Sequence, residues 1–183
     1  LMAIEKPEYR VLSSSNGIEL REYSEHWLAE CSVEDVEDLL KASSRAFNRL
    51  FNYISGQNEP GQKIAMTSPV QQVRSETGWK VSFVVPREFK PESIPVPLHS
   101  SIKLRKVVAG TFAALRYRGT WNNQIFEAKT KELLDALKAL QIKPIGEVSS
   151  AVYNPPLTPP PLRRNEVLVR VSAPGSSDSE RPS

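Results

Sequence analysis

The feature that most restricts the fold is a pattern that occurs twice. From Ile18 to Val85 the apolar residues run in the order alternating, alternating, helical, alternating, alternating, and from Ile102 to Val171 the same order returns. Ile102-Lys103-Leu104-Arg105-Lys106 repeats Ile18-Glu19-Leu20-Arg21-Glu22 at an offset of 84, and Phe112-Ala113 falls on Leu28-Ala29 at the same offset. Val148-Ser149-Ser150-Ala151-Val152 echoes Met66-Thr67-Ser68-Pro69-Val70, and Val167, Val169 and Val171 alternate as Val81, Phe83 and Val85 do. Identity between the copies is thin, but order and period agree, so one duplication is the economical reading. Each unit of strand–strand–helix–strand–strand has a one-sided sheet and a one-sided helix. Two such units pair their strands into one antiparallel sheet or distorted β-barrel with the two long helices packed outside, an α+β fold. The expected organisation is a single domain over 1–173, with internal halves at 9–86 and 98–172 joined by the proline-bearing segment Pro86–Pro97. The polar stretch 174–183 reads as a disordered tail.

Within the first unit, strands are expected at Tyr9–Leu12, from Ile18, at Trp27–Val33, near Ala65–Val73 and at Trp79–Val85, with a turn over Ser13–Gly17. Val36, Leu39, Leu40, Phe47, Leu50, Phe51 and Ile54 recur at helical steps and predict an amphipathic helix of about five turns. Ser32 with Asp35 three places on resembles a capping box, and Gly56 stands where a C-terminal cap belongs. The second helix carries Ile125, Leu133, Leu134, Leu137 and Leu140 on its apolar side, with Pro144 beyond its end.

Composition narrows the function classes. The chain has 183 residues, 39% of them apolar, and a net charge of +3 with Lys and Arg spread along it, so it reads as one soluble domain without a nucleic-acid-binding arm. A single cysteine, Cys31, excludes an internal disulfide and any paired-cysteine zinc or redox motif, and its place in an alternating strand reads as a buried structural thiol. No run approaches the ~18 apolar residues of a membrane span, and Leu1–Arg10 lacks a signal-peptide core. A cytoplasmic location is expected, or an organellar one if a leader was removed before Leu1.

Motifs for catalysis are weak. There is no Gly-x-Ser-x-Gly elbow, and only His26 and His99 could act as an imidazole base. Gly56-Gln57-Asn58-Glu59-Pro60-Gly61-Gln62-Lys63 nearly fits a phosphate loop but has Gln62 for its lysine, Lys63 for its hydroxyl residue and an acidic Glu59 inside it, so it reads as a helix cap and turn. Two histidines 73 positions apart do not make a zinc site. Haem iron asks for less, since one axial ligand can suffice. Both histidines read most simply as loop-edge residues, with His26 kept as the candidate axial ligand. On the first helix Arg45 and Arg49, with Asn48 and Asn52 beside them, form a polar stripe along the apolar one. The plain reading is a solvated face. The functional reading is a carboxylate-binding edge, in which guanidinium groups meet propionate-like anions while the apolar stripe covers a ring.

Two stretches resemble a known family. Phe51-Asn52-Tyr53-Ile54-Ser55-Gly56-Gln57-Asn58 followed by Lys63-Ile64-Ala65-Met66-Thr67-Ser68-Pro69-Val70 resembles the central signature of the SOUL haem-binding family. Asn154-Pro155-Pro156-Leu157-Thr158-Pro159-Pro160-Pro161-Leu162-Arg163-Arg164-Asn165-Glu166-Val167 resembles its C-terminal signature. The family order runs from Glu5 to Val171, about nine-tenths of the chain. The resemblance implies a distorted barrel of two pseudo-symmetric halves, non-covalent binding of haem and related porphyrins, and no established catalysis: a buffer or carrier, not an enzyme. It places the porphyrin in a hydrophobic cleft along the first helix, with basic groups toward the propionates. Carried over by position, it points to Ser44, Asn48, Phe51 and Asn52 on the helix and to Arg170 and Val171 at the end of the last strand. Asn52 stands where a lysine occurs in some members, and Arg45, Arg49 and Arg170 are the cations that could replace it. Pro69, Pro155, Pro156 and the Arg163–Glu166 run also have a scaffold reading, which is preferred for the two arginines.

Two alternatives belong to other classes. The same two-copy barrel resembles the ligand-sensing domains of multidrug-responsive regulators, which bind apolar cations around a buried carboxylate; Glu30 and Glu166 are the candidates, although both read more simply as surface residues. The third reading is a protein-interaction module in which porphyrin binding is incidental.

Overall fold

The structure is a computed structural model that describes residues 4–155 and 157–173; the predicted tail at 174–183 and Pro156 of the second signature lie outside the described residues. In chain order the elements are β1 (Tyr9–Ser15), β2 (Ile18–Tyr23), β3 (His26–Glu34), α1 (Leu39–Ile54), β4 (Asn58–Glu59), β5 (Val70–Arg74), β6 (Gly78–Val84), β7 (Val96–Pro97), β8 (Ile102–Val107), β9 (Gly110–Tyr117), α2 (Asn123–Ala139), β10 (Ser149–Val152) and β11 (Asn165–Arg170). Among the described residues, nine strands form one antiparallel sheet in the order β1-β2-β9-β11-β10-β5-β6-β3-β8, and β4 pairs with β7 as a separate ribbon.

This order explains the curvature. β2 and β3 stand near opposite ends of the sheet, yet only Ser24 and Glu25 separate Tyr23 from His26. Three steps of chain span at most ~11 Å, so the sheet must curl until its two ends approach. The link from Val107 to Gly110, from edge strand β8 to inner strand β9, imposes the same closure. The result is α+β, as expected, with the sheet bent into a half-barrel. The two repeated runs interleave: β2 pairs with β9, and β8 pairs with β3.

The helices cover one face of this sheet. Ala29, Cys31, Val33, Val81, Phe83, Ala113, Leu115, Val167 and Val169 alternate toward them and join Leu39, Leu50, Tyr53, Leu133 and Leu137 in one core. Some boundaries differ from expectation. Ser13–Ser15 continue β1, and the turn is the two-residue Asn16-Gly17 pair at φ 53° and 75°, a conformation suited to Asn and Gly. Ser32 lies within β3, so it is not the helix cap. Asp38 takes that role by accepting from the Lys41 amide, and α1 starts at Leu39, three residues later than its apolar period implied.

The face without helices holds a buried ion pair. Arg21 is 1% and Glu166 0% exposed, and the guanidinium meets both carboxylate oxygens at 2.6 and 2.9 Å. Arg164 donates to the same carboxylate at 3.0 Å and to Tyr9 Oη, while Arg21 also reaches Glu19 and Tyr23 Oη. Both carboxylates expected on the surface, Glu166 and Glu30, are therefore buried and arginine-bound; Arg105 meets Glu30 at 3.1 Å. Burial alone would raise the Glu166 carboxyl, but hydrogen bonding from Arg21 and the charges of Arg21 and Arg164 hold it below the ordinary carboxylate range.

A carboxyl depressed on folding contributes stability that is present above the unfolded value, near 4.5, and is lost as pH falls through the folded one. Urea midpoints should therefore fall on acidification below that range, and the fall should be shallower in Glu166→Gln. Glu166→Ala, which leaves two arginines facing an empty buried site, should cost on the order of 3–5 kcal/mol. A midpoint unchanged by Glu166→Ala would mean that the pair does not support the sheet.

Candidate functional site

The helix α1 is apolar on two sides. Its inner side is Leu39, Ala42, Ala46, Leu50 and Tyr53, spaced three or four residues apart, with two alanines that let the helix approach β3 and β6 closely. The larger apolar residues that suggested a core stripe divide between the two sides. Val36, Leu39 and Leu50 are buried and Ile54 is half-buried, but Leu40 stands exposed, and so do Phe47 and Phe51 at 47% and 49%. The Phe47 and Phe51 rings stack on each other, 6.1 Å apart and 21° from parallel, and form a flat apolar ledge on the outer side of the helix.

Most of the predicted site residues on the helix border this ledge. Ser44, Arg45, Asn48 and Asn52 are all exposed on the same outer turns as Phe51. Arg45 has no ion pair among the described residues, so its guanidinium is available to an incoming anion. Arg49 is committed elsewhere: Nη1 donates to Ser32 O and Ser101 Oγ, each at 3.3 Å, and ties α1 to β3 and the segment before β8.

Arg170 and Val171 are not part of that surface. Val171 is buried in the core. Arg170 alternates with Val169 and Val171, so it faces away from the helices. Its guanidinium lies 4.5 Å above the Phe112 ring and donates to Val108 O at 2.7 Å. Gly110 makes this position available, because a Cβ there would come within 2.1 Å of Arg170 Nη1.

Arg170 belongs to a second feature, an open groove of about 1320 Å³ that runs along the sheet from the helix-free face to Phe126, Thr130 and Leu134 of α2. Tyr23, Leu28, Phe112 and Leu168 give it apolar walls, while Glu30, Ser82 and Arg105 are among its polar groups. Sequence reasoning named His26, Glu30 and Arg170 for three separate roles and did not bring them together in one groove. The available signal was the alternation of His26, Leu28 and Glu30 on one side of β3; the register that sets Arg105 opposite Leu28 and Ser82 opposite Glu30 is supplied by the fold.

His26 opens onto this groove, with its ring 6.2 Å from that of Tyr23 and Nδ1 2.8 Å from Ser24 O. Burial lowers its pKa, the Ser24 bond opposes that, and the charges of Arg105 and Arg170 lower it further, so the imidazole is held neutral at pH 7. His99 is exposed and accepts the Ser101 amide at Nδ1. Cys31 is a buried thiol in the core. Among the described residues no three His, Cys, Asp or Glu side chains cluster as a metal site, and no helix is long and apolar enough to cross a membrane.

The second signature is largely structural. The Arg164 amide bonds Asn154 Oδ1, Asn165 Nδ2 bonds Gly119 O and Glu166 receives the arginines. Asn58 of the first signature closes the loop after α1 through bonds to Tyr53 O, Gln62 O and the amides of Gly61 and Gln62.

Comparison with known proteins places the chain among these relatives. A family model described as SOUL heme-binding protein matches residues 4–170. A protein named Heme-binding protein 1, from Sus scrofa, is 29% identical over 145 residues, which cover 75% of this chain and 74% of that one. Among solved structures, the C-terminal domain of EcmrR is similar with a TM-score of 0.65 at 12% identity, covering 90% of this chain and 98% of that one. A hydrolase from Listeria innocua is similar with a TM-score of 0.56 at 11% identity, covering 88% and 94%. These two likenesses are of fold.

The two sides of α1 should respond differently to truncation. Leu50→Ala opens a cavity in the core and should cost about 2–5 kcal/mol, while Phe51→Ala, half in solvent, should cost less than about 1 kcal/mol. Chemical denaturation of the two variants checks this, and equal losses would mean that the outer ledge is part of the packed core.

Proposed function

The chain belongs to the SOUL heme-binding protein family, and from that premise we propose that it is a non-enzymatic protein that binds haem and related porphyrins non-covalently and buffers or carries them. The observation that carries the choice of surface is the stacked Phe47–Phe51 ledge, a flat apolar area on a helix whose core-facing side is complete without it.

A tetrapyrrole is a flat apolar ring with carboxylates on one edge. The ledge covers the ring, and Leu40 extends it by two turns of helix. Arg45 receives a propionate as a charge-assisted hydrogen bond, while Ser44, Asn48 and Asn52 supply neutral polar contacts along the rim. Arg49 supports the platform from behind through its bonds to Ser32 and Ser101. Desolvation of half-exposed phenylalanines favours association at ~25 cal/mol for each Å² of apolar area covered. An open, one-sided contact of this kind favours exchange over permanent retention, which suits a carrier.

The apolar-cation reading is less well supported by the geometry. It needs a buried carboxylate with spare negative charge, and both buried candidates are neutralised: Glu166 by Arg21 and Arg164, Glu30 by Arg105.

Metal-free protoporphyrin IX reports macrocycle contact without iron. Titration followed by absorbance and by quenching of porphyrin fluorescence should give saturable one-to-one binding to the wild type. The Phe47→Ser/Phe51→Ser double variant should bind at least about tenfold more weakly, a loss of ~1.4 kcal/mol. Saturable binding that the double variant leaves intact would move the macrocycle off α1, and no saturable binding would remove the ledge as a porphyrin surface.

A further inference from the structure

The groove on the other face of the sheet differs in chemistry from the α1 ledge. We propose that it is a second, iron-selective porphyrin site, in which Nε2 of His26 is the axial ligand and Arg105 and Arg170 face the anionic edge of the macrocycle. This rests on the tetrapyrrole reading above and adds a place on the molecule that distinguishes the iron-bearing ring from the metal-free one.

The hydrogen bond at Nδ1 fixes which nitrogen can bind metal. Ser24 O is a carbonyl and can only accept, so the proton of the neutral imidazole sits on Nδ1 and the lone pair on Nε2. Nε2 has no hydrogen-bond partner among the described residues. An imidazole anchored through its other nitrogen to a backbone carbonyl is the arrangement that orients metal-binding histidines. His99 has the opposite arrangement: Nδ1 accepts the Ser101 amide, so its proton sits on Nε2.

The surroundings favour a macrocycle over a bare ion. A free metal ion needs several protein donors, and no such cluster exists among the described residues; Glu30, on the same side of β3, is engaged by Arg105 at 3.1 Å. Iron in a porphyrin brings four ring nitrogens and asks the protein for one or two axial atoms. Tyr23 and Phe112, with ring centres 5.3 Å apart, wall the groove next to the imidazole, and Leu28 and Leu168 continue the apolar lining. Arg170 supplies positive charge at the same opening, where Arg105 is already paired with Glu30 and offers its remaining N–H donors. Arg105 is half exposed and stands opposite Leu28, two residues from His26, while Arg170 is held over Phe112. The groove is open to solvent along its length, so a planar ring can approach His26 from outside.

The test uses hemin and metal-free protoporphyrin IX on the full chain, with His26→Ala, His26→Gln and the control His99→Ala. Circular dichroism and urea midpoints verify that the variants fold. Wild type and His99→Ala should give a hemin Soret band and a resonance Raman signature of histidine-ligated iron. Both His26 variants should lose that signature and their hemin affinity should fall at least about tenfold, with protoporphyrin IX binding unchanged. Added imidazole should restore the ligated spectrum in His26→Ala. A hemin spectrum that is the same in wild type and both His26 variants would overturn the proposal. Failure to bind either porphyrin would overturn the tetrapyrrole reading itself, whereas equal binding of both, indifferent to His26, would overturn only the iron-selective site.

Discussion

The buried pair of Arg21 and Glu166 is the constraint on which the rest of the sheet depends. Two charges removed from water are costly unless each hydrogen-bonding position is occupied, and here the carboxylate receives Arg21 on both oxygens, Arg164 on one and the Tyr153 hydroxyl at 3.4 Å. Arg21 comes from β2 and Glu166 from β11, and the two strands are separated by β9. The pair therefore bridges across an intervening strand and is satisfied only if β2, β9 and β11 hold one register and one curvature. A one-residue slip in either pairing would turn the arginine or the carboxylate into the core. Apolar replacements of buried ion pairs often match them in stability, so the pair by itself is weak evidence of net stabilisation.

That curvature creates both surfaces. On the covered side, curling brings β3 and β6 beneath α1 closely enough for Ala42 and Ala46 to meet the sheet, which turns Phe47 and Phe51 outward. On the other side it brings the Tyr23–His26 link and the Val107–Gly110 link to one opening, so that Tyr23, His26, Phe112 and Arg170 converge although they come from four strands. Neither surface belongs to one of the repeated runs alone, because each run pairs its strands with the other.

The α+β class, both helices and most strands were legible in the sequence because they rest on period, which a chain displays locally. What was not legible has two physical causes. The first is that an apolar count rewards large side chains, whereas close packing of a helix on a sheet selects small ones: Ala42 and Ala46 face the core, while Leu40, Phe47 and Phe51 do not. The second is that polar residues on alternating strands carry no mark of which partners the fold will supply. Glu166 and Arg21 are 145 residues apart, and Glu30 and Arg105 are 75 apart, so reading the two carboxylates as surface charges was reasonable locally and wrong globally. Arg170 was named with the helix residues on the strength of family position, yet alternation about Val169 places it on the far face. Of the helix residues named for the site, Ser44, Arg45, Asn48, Phe51 and Asn52 lie exposed on the outer turns of α1, while Arg49 turns to Ser32 and Ser101.

The signature residues and the exposed ones divide by role in a way that bears on what such a fold can bind. Asn58, Asn154, Asn165 and Glu166 stand in the best-matching stretches, and their side chains are engaged with backbone or with arginines inside the molecule. A buried polar group that loses its partner costs ~1–3 kcal/mol, and more when charged. These positions therefore resist change for reasons of folding alone. The ledge and the groove rim carry no such penalty: Phe47, Phe51 and Arg45 are exposed, and substitution there leaves the core intact. The polar residues of the two signature stretches thus act in this chain mainly by holding strands and loops in place. The proposed ligand surfaces therefore rest on exposed and half-buried groups of this chain, the stacked phenylalanines of α1 for one and the His26 imidazole beside Arg105 and Arg170 for the other.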